Sequence, residues 1–591
     1  PEIQDTTQFS IKIAKLQLTS LTGGENIQAG KQFNITWIDS LVTTVKLEYS
    51  TNNGLSWRII STAIPAINKN YIWNIPNTPS INCKIRISDV YNPEIADLST
   101  QVFTISLLRI DNPNGGESVQ ALKYKKIYYT KSNNISNLKL EYSTDNGINW
   151  NIITNSTADS IYNWLVPNIP SNTCRLRISD ANNPNISDVS DTTFKIYYLK
   201  LLTPNGEIKQ IGTQANISWE YSSNISRVSL YYSTNAGNNW IEIKRNIAAD
   251  TNGSNYLWQI PNTPTKQALV RVAMAYNNEI FDDSDSLLTL STIKILFPNG
   301  NNHLQVHRYY DIKWSYGYVN NVNIDYSVNG GTTWMNIVSN YPADSMKYRW
   351  YVNDTVAQNA ILRIQYSADN SIYDISDNPF RISKLELLSP NGGEKWLNNS
   401  SKIITWECSN DVKLVRIFYS YDNGLTWIKI ADSVNGQAKS YLWNIPKLSD
   451  IQTTDKMRIK IVDSTFNFAQ TVYDISDNKF TICNINIFNP RANDYIQVGK
   501  KATITFNTKN INRLRIEYRT SPFEPWNTID TGVVTNTGKY DWIIPEDSTL
   551  VSNYFQFKLT DMHDDSIYVL SESYQICKYI YIYECTYIIA T

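Results

Sequence analysis

Short runs of alternating apolar and polar residues set the character of this chain. In residues 138–142 (Leu-Lys-Leu-Glu-Tyr), Leu138, Leu140 and Tyr142 fall on one face and Lys139 and Glu141 on the other. That is the two-residue side-chain period of a half-buried β-strand. The surrounding segment reads as seven such strands, at 107–110, 126–130, 138–142, from Trp150 onward, 162–166, 174–178 and 192–196. Turn signals separate them: Pro-Asn-Gly-Gly-Glu at 113–117, Asp-Asn-Gly at 145–147 and Asn-Asn-Pro at 182–184. Gly supplies positive φ, and Asn and Asp close turns through their own side chains. No run carries the 3.6-residue period of an amphipathic helix.

The unit recurs. A phrase of the form Tyr-Ser-Thr-Asn-Asn-Gly-x-x-Trp ends at Trp57 and returns ending at Trp150, Trp240, Trp334, Trp427 and Trp526, at steps of 93, 90, 94, 93 and 99 residues. A second phrase, Tyr-x-Trp-x-(Ile/Val)-Pro or a near variant, follows each time, with its tryptophan at Trp73, Trp164, Trp258, Trp350, Trp443 and Trp542. The inward residues of the third strand recur as Val45/Leu47/Tyr49, Val228/Leu230/Tyr232, Val322/Ile324/Tyr326, Val415/Ile417/Tyr419 and Leu514/Ile516/Tyr518. The second-strand tryptophan (Trp37, Trp219, Trp314, Trp406) becomes Tyr129 in repeat two and Phe506 in repeat six. Large flat side chains at one slot mean packing, so the twelve phrase tryptophans are expected to be structural and buried. Seven short strands per unit predict an immunoglobulin-like β-sandwich. The fold class expected is therefore all-β, a linear array of six immunoglobulin-like seven-stranded sandwiches at 13–105, 106–197, 198–292, 293–382, 383–483 and 484–577. Residues 1–12 resemble the closing strand of a preceding repeat, and 578–591 form a further alternating Tyr/Ile strand segment.

Polar positions repeat as well. The sixth strand carries a cation at one slot: Arg86, Arg177, Arg271, Arg363, Lys460 and Lys558. The third strand offers Glu48, Glu141, Asp325 and Glu517 in four repeats, and Tyr231 or Phe418 in the other two. Third and sixth strands are neighbours in such a sheet. The expectation is a solvent-face ladder of cross-strand ion pairs in four repeats and cation–aromatic contacts in two, each worth about 0.2–1 kcal/mol. Junctions such as 103–110 and 380–387 pass from one repeat to the next with no Gly, Pro or polar spacer, which predicts a semi-rigid rod.

The 591 residues carry a net charge of −1 with 18% charged residues. That excludes the basic stripe a nucleic-acid binder needs, and no apolar run approaches the length of a membrane span. Cys83 and Cys174 share one slot and are expected to be buried free thiols. Cys408, Cys483, Cys577 and Cys585 could pair, and their spacing leaves the connectivity open.

Three motifs bear on chemistry. Residues 420–427 (Ser-Tyr-Asp-Asn-Gly-Leu-Thr-Trp), and 143–150 more loosely, match the Asp-box hairpin found in sialidase propellers. The motif is a turn, with Asp capping backbone N–H groups and Trp folding back over Gly. Its spacing here is twice that of propeller blades, and no arginine cluster accompanies it, so no enzyme is expected. Acidic residues gather where the sixth strand ends and the seventh begins: Asp89 with Asp97, Asp180 with Asp188 and Asp191, Asp374 with Asp377, and Asp474 with Asp477. They are weak Ca²⁺ candidates with turn capping as the simpler account; no other cofactor is expected. His303 and His307 sit four apart, about 13 Å along a strand and too far for one metal.

The succession Pro-Asn-Gly-Gly-Glu (390–394), Ile-Thr-Trp (404–406), Tyr-Ser-Tyr-Asp-Asn-Gly-Leu-Thr-Trp (419–427), Tyr-Leu-Trp-Asn-Ile-Pro (441–446) and Ile-Ser-Asp (475–477) resembles the tandem immunoglobulin-like repeats of large secreted bacterial surface proteins. Those are related to the immunoglobulin-like domain of fungal Ser/Thr-rich GPI-anchored wall proteins. The resemblance covers residues 13–577, and repeat six departs most, with Asn489-Pro-Arg-Ala-Asn493 in place of the glycine turn and 521–525 in place of the Asn-Gly hairpin. It implies an extracellular, non-catalytic structural or adhesive role on a bacterial surface or in a filament assembly. Its partners would be copies of itself or other surface-assembly proteins, end to end, and cell-surface glycans. The alternative is a set of accessory or glycan-binding repeats of a larger glycan-active protein. The terminal segments 1–11 and 578–591 are expected either to pair with another chain as lone strands or to be cut from one longer covalent array.

Overall fold

A computed structural model describes residues 12–466, 471–492 and 494–579. The expected lone strand at 1–11 and all but the first two residues of the 578–591 segment lie outside the described residues. The chain divides into two compact units at Ser291/Thr292, and each is described by itself.

Repeat one shows how the strands assemble. Its strands are β1 (Lys15–Leu18), β2 (Asn26–Gln28), β3 (Gln32–Ser40), β4 (Thr44–Ser50), β5 (Arg58–Pro65), β6 (Asn70–Asn74), β7 (Ser80–Asp89), β8 (Ala96–Leu98) and β9 (Phe103–Ser106). One sheet runs β1-β3-β6, and the other runs β2-β9-β7-β4-β5 with β8 also on β7. Nine segments make seven strands because the first and last are each split. The first strand pairs antiparallel to β3 as β1, then crosses sheets and pairs parallel to β9 as β2. The crossing happens at Gly23 and Gly24. Gly23 has φ +138°, and a Cβ there would lie 2.4 Å from the Gln101 Cβ. A side chain would separate the first strand from the last.

Alternation fills the core. Ile35, Val45, Leu47, Ile85, Ile87 and Ile105 are all fully buried. At the centre Trp37 is 1% exposed, and its Nε1–H donates to the Ala66 carbonyl on the turn after β5. Trp219, Trp314 and Trp406 donate in the same way to the carbonyls of Ala249, Ala343 and Gly436. In repeat two, the Tyr129 hydroxyl donates to the Asp159 carbonyl. The slot thus calls for a flat ring with a donor at its far end; Phe506 fills it with a ring alone.

The same two-sheet pattern returns with first strands Leu108–Asn112 and Leu199–Thr203 in the first unit and Leu385–Ser389 in the second. Within the second unit Thr481–Asn489 is one continuous strand, closing repeat five through Lys395–Leu397 and opening repeat six through Lys501–Lys509. The chain is all-β, built of tandem immunoglobulin-like sandwiches. Cys83, Cys174, Cys408 and Cys483 are buried free thiols and Cys577 is a half-buried one. The sequence left pairing open for Cys408, Cys483 and Cys577; the structure has all three as thiols, two of them sealed in the cores of repeats five and six. Cys585 lies outside the described residues.

Candidate functional site

The repeated cations find their expected partners at an unexpected depth. Arg86 lies directly opposite Glu48, with Nη2 2.6 Å from Oε2. Arg177–Glu141, Arg363–Asp325 and Lys558–Glu517 repeat the pairing at 2.8, 2.9 and 3.5 Å. The four carboxylates are buried, however, rather than on a solvent face. The cause is the hairpin tryptophan. Trp57 folds back so that the Arg86 guanidinium lies 4.6 Å above its ring, and Trp150 and Trp334 do the same beneath Arg177 and Arg363. Each ring, with the cation above it, shuts water away from the carboxylate. The hairpin tryptophans Trp57, Trp150, Trp240, Trp334, Trp427 and Trp526 are in consequence half-buried, a correction to the expectation of full burial. The second series is core: Trp73, Trp164, Trp258, Trp350 and Trp443 are 3–5% exposed, and Trp542 is half-buried against Phe555 and Phe557. Burial pushes the Glu48 carboxyl up, but hydrogen bonds from Lys46 and Arg86 outweigh it and hold it below the usual range.

In repeats three and five Tyr231 and Phe418 oppose the cation in register, yet the rings that hold it are others. Arg271 lies between Trp240 and Phe281, with Asp283 supplying the carboxylate at 2.6 Å. Lys460 lies over Trp427 and Tyr473. A tryptophan face occupied by a cation offers no platform to a sugar ring.

The Asp-box hairpins are closed hydrogen-bond circuits. The Ser143 hydroxyl donates to Asp145 Oδ1 and accepts the Gly147 N–H, while Asp145 Oδ1 also accepts the Asn149 N–H. Repeat five reproduces this with Ser420, Asp422, Gly424 and Thr426. These bonds hold the Asp145 and Asp422 carboxyls down to about 2.

The nine calcium candidates all meet backbone N–H groups or asparagine side chains. Asp97, Asp188, Asp374 and Asp474 accept the first-strand N–H groups of Leu18, Ile110, Ile295 and Leu387 at 2.7–2.8 Å. Asp191, Asp377 and Asp477 form two-bond rings with Asn114, Asn299 and Asn391. Asp89 and Asp180 close turns on the N–H groups of Tyr91 and Asn182. Among the described residues no group of three or more His, Cys, Asp or Glu side chains is arranged to hold a metal.

One constellation escaped the sequence. His303 Nε2 lies 2.6 Å from Ser383 Oγ, and His303 Nδ1 lies 3.7 Å from Asp463. The order Ser–His–Asp is that of a hydrolase triad, but the protons run the wrong way. The Ser383 hydroxyl donates to Asp411, so Nε2 must carry the hydrogen it shares with Ser383 and cannot serve as its base. Ser383 is fully buried and His303 is 3% exposed. The cluster is structural. Asn26, Ser106 and Asn134 form its neutral counterpart between repeats one and two. His307, on a turn with φ +59°, stacks instead on Tyr351.

A second missed feature lies at the joints. Gln28 Nε2 donates to the Leu108 carbonyl, and its Oε1 accepts the Ser187 N–H. Gln120 bonds Leu199 O and both backbone groups of Phe281; Gln305 bonds Leu385 O and the Tyr473 N–H. Each glutamine ends its short strand and reads the next repeat's backbone at two points. In two of these joints a cation three residues on adds an ion pair, Lys123–Asp282 and Arg308–Asp474, both 3.0 Å. Between repeats five and six Lys395 meets the buried Asp561 at 2.6 Å. The available signal was a glutamine recurring in step with the tryptophans.

No family model matches the chain, and no curated protein matches it. Among solved structures it is similar to the N-terminal eight Ig domains of Down Syndrome Cell Adhesion Molecule (9% identity, 93% of this chain and 82% of that chain, TM-score 0.19). It is similar to the I67–I69 I-band fragment of titin (10% identity, 48% of this chain and 98% of that chain, TM-score 0.19). A third likeness is to the Bacteroides ovatus mixed-linkage glucan utilization locus SGBP-B in complex with a mixed-linkage heptasaccharide (12% identity, 58% of this chain and 93% of that chain, TM-score 0.14). The sandwich topology stands on the strand pairings themselves. Among the described residues no helix is long and apolar enough to cross a membrane.

Proposed function

We propose that this chain is a non-catalytic structural or adhesive repeat protein of the bacterial cell exterior, serving as a semi-rigid spacer within a surface or filament assembly. The joints carry this reading. Gln28, Gln120 and Gln305 each fix the following repeat by its backbone, and a single residue (Leu107, Tyr198 or Lys384) separates the last strand of one repeat from the first of the next. Loss of swivel at a joint is what a spacer needs and what a catalytic fold has no use for. The repeated polar clusters are turns and ion pairs closed within their own repeat. Small-angle scattering of the 591-residue chain tests the proposal. An extended, stiff profile that softens when Gln28, Gln120 and Gln305 are all changed to Ala is the expected result. A profile of a freely jointed string in the parent chain would overturn it.

A second reading, glycan binding, is favoured by one observation. Repeat four ends its outer sheet face with the exposed, adjacent pair Tyr309 and Tyr351, at 5.0 Å between ring centroids and tilted 52° to each other, with Arg349 against the Tyr309 ring and His307 against the Tyr351 ring. Glycan-array binding that disappears in Tyr309→Ala/Tyr351→Ala would support it.

A further inference from the structure

Repeat two departs from its neighbours on the outward face of its three-stranded sheet. Strands Tyr124–Lys131 and Ile161–Leu165 run side by side there. They set three exposed pairs next to one another: Tyr124 with Leu165, Lys126 with Asn163, and Tyr128 with Ile161. Tyr124 is 74% exposed, Leu165 52%, Ile161 43% and Tyr128 41%. The outer two pairs are apolar and the middle pair is polar. Repeats one, three and five show the reverse order. Their middle row carries the exposed apolar residue, Ile72, Leu257, or Ile403 with Leu442, and scattered residues of that kind are ordinary on a protein surface. Their outer rows are polar and bonded within the face, Gln32 to Asn74, Asn255 to Asn216, and Ser401 to Asn444. Among the described residues none of the six side chains in repeat two has such a bond, and Lys126 makes no ion pair. The face lies in the middle repeat of the first unit, between two described repeats.

Size and chemistry select the occupant. Tyr124 and Tyr128 are four residues apart on one strand, about 13 Å, and the paired strands lie about 5 Å apart. Six side chains make this patch, whereas a protein interface engages about 20–30 residues a side. One unpaired cation stands at its centre, whereas recognition of an anionic membrane draws on about four to eight. A narrow, extended oligosaccharide fits both measures. The C–H faces of its rings are apolar and stack on phenol rings, with Leu165 and Ile161 widening the contact. Its hydroxyls need both donors and acceptors, and the Asn163 amide offers both. The Lys126 ammonium, with no carboxylate of its own, selects a negative charge on the sugar that crosses the middle row. The hairpin ring Trp150 is covered by Arg177; among the described residues no cation lies over Tyr124 or Tyr128.

We propose that the outward sheet face of repeat two binds an acidic oligosaccharide lying along Tyr124–Tyr128, with one sugar ring on each tyrosine and the carboxylate or sulfate of an intervening sugar on Lys126. The proposal gives the adhesive half of the reading above a ligand class. It uses neither the joint glutamines nor the Tyr309–Tyr351 pair.

Isothermal titration of the full chain with hexasaccharides at low salt tests it. Oligogalacturonate and hyaluronan supply carboxylates, a carrageenan oligosaccharide supplies sulfates, and cellohexaose and chitohexaose are neutral. At least one acidic probe should bind with a Kd of about 0.1–1 mM, and the neutral probes at least about tenfold more weakly. Which acidic arm binds assigns the anion. Tyr124→Ala/Tyr128→Ala should weaken binding at least about tenfold. Lys126→Gln should erase the preference for acidic over neutral probes, together with the salt dependence. All three side chains are exposed, so circular dichroism melts of these variants should match the parent. Failure of every acidic probe to bind at about 5 mM overturns the proposal, as does equal binding of neutral and acidic probes. Binding that survives Tyr124→Ala/Tyr128→Ala but disappears in Tyr309→Ala/Tyr351→Ala overturns it and leaves the repeat-four reading standing. Self-association of the parent that the Tyr124→Ala/Tyr128→Ala change abolishes, with no saccharide bound, would give the face to a second copy and also overturn it. A stiff scattering profile with no saccharide binding leaves the spacer reading intact.

Discussion

At the scale of single residues, the buried carboxylate paired with the cation over Trp57 is the most open to test. Glu48 is 6% exposed and meets both Lys46 and Arg86. Glu48→Ala leaves the Arg86 guanidinium on Trp57 without its counter-charge, and should cost repeat one about 1–3 kcal/mol, read from urea unfolding. The carboxyl titrates below its usual range in the folded state. Its contribution is therefore fully present above the unfolded value of about 4.3 and is lost as pH falls through the folded one. Unfolding between pH 7 and pH 3 should show this acid loss, and Glu48→Gln should flatten it. A second residue-scale prediction separates two adjacent glycines. Gly115 has φ +133°, and an added Cβ would lie 2.0 Å from Thr192 Oγ1; Gly116 has φ +86° and open space around it. Gly115→Ala combines a disfavoured φ with a collision and should cost about 2–4 kcal/mol. Gly116→Ala should cost about 1–2 kcal/mol from φ alone. Equal melting temperatures for the two would refute the close-approach account.

At the scale of elements, the second strand shows what a ring with a donor contributes. Trp219→Phe keeps the ring but leaves the Ala249 carbonyl without the indole N–H that meets it at 2.9 Å. A loss of about 1–3 kcal/mol is expected, measured by hydrogen exchange in Gln214–Tyr221. Strand-level features of this kind were legible in advance. The two-residue period placed Val45, Leu47 and Tyr49 inward and set Glu48 across from Arg86, because period and repetition both act along the chain. What was not legible acts across it. The depth of Glu48 depends on Trp57 folding back from the far side of a hairpin. The bond from the Leu18 N–H to Asp97 joins residues 79 apart in sequence, and it makes that aspartate a clip on the first strand. His303 and Ser383 are 80 apart and meet in one joint, so repetition gave no hint of them. The glutamines do act along the chain, recurring in the same phase as the tryptophans.

At the scale of the whole molecule, within each unit, the joints determine how the repeats behave together. His303 sits in the joint between repeats four and five. Burial pushes its imidazolium down, partly offset by Asp463 and Asp411, with Arg381 adding to the depression. A histidine depressed by folding leaves stability intact above its unfolded value of about 6.5 and loses it as pH falls below that value toward the folded one. The protection of the Phe380–Ser383 amides, relative to the intrinsic exchange rate at each pH, should fall between pH 7.5 and 5.5, and His303→Gln should remove the dependence.

The single residue between consecutive strands has a further consequence, one of parity. Ile105 and Leu108 both point inward, with Ser106 and Leu107 carrying the pleat across the joint. One added residue after Leu107 would turn Arg109 and Asp111 toward the core and Ile110 toward water, since a one-residue slip inverts every side chain of a strand. A looped-out insertion cannot absorb the change while Gln28 holds the Leu108 carbonyl. Such a chain lengthens or shortens in whole repeats far more readily than by single codons, and its length is in effect a digital quantity.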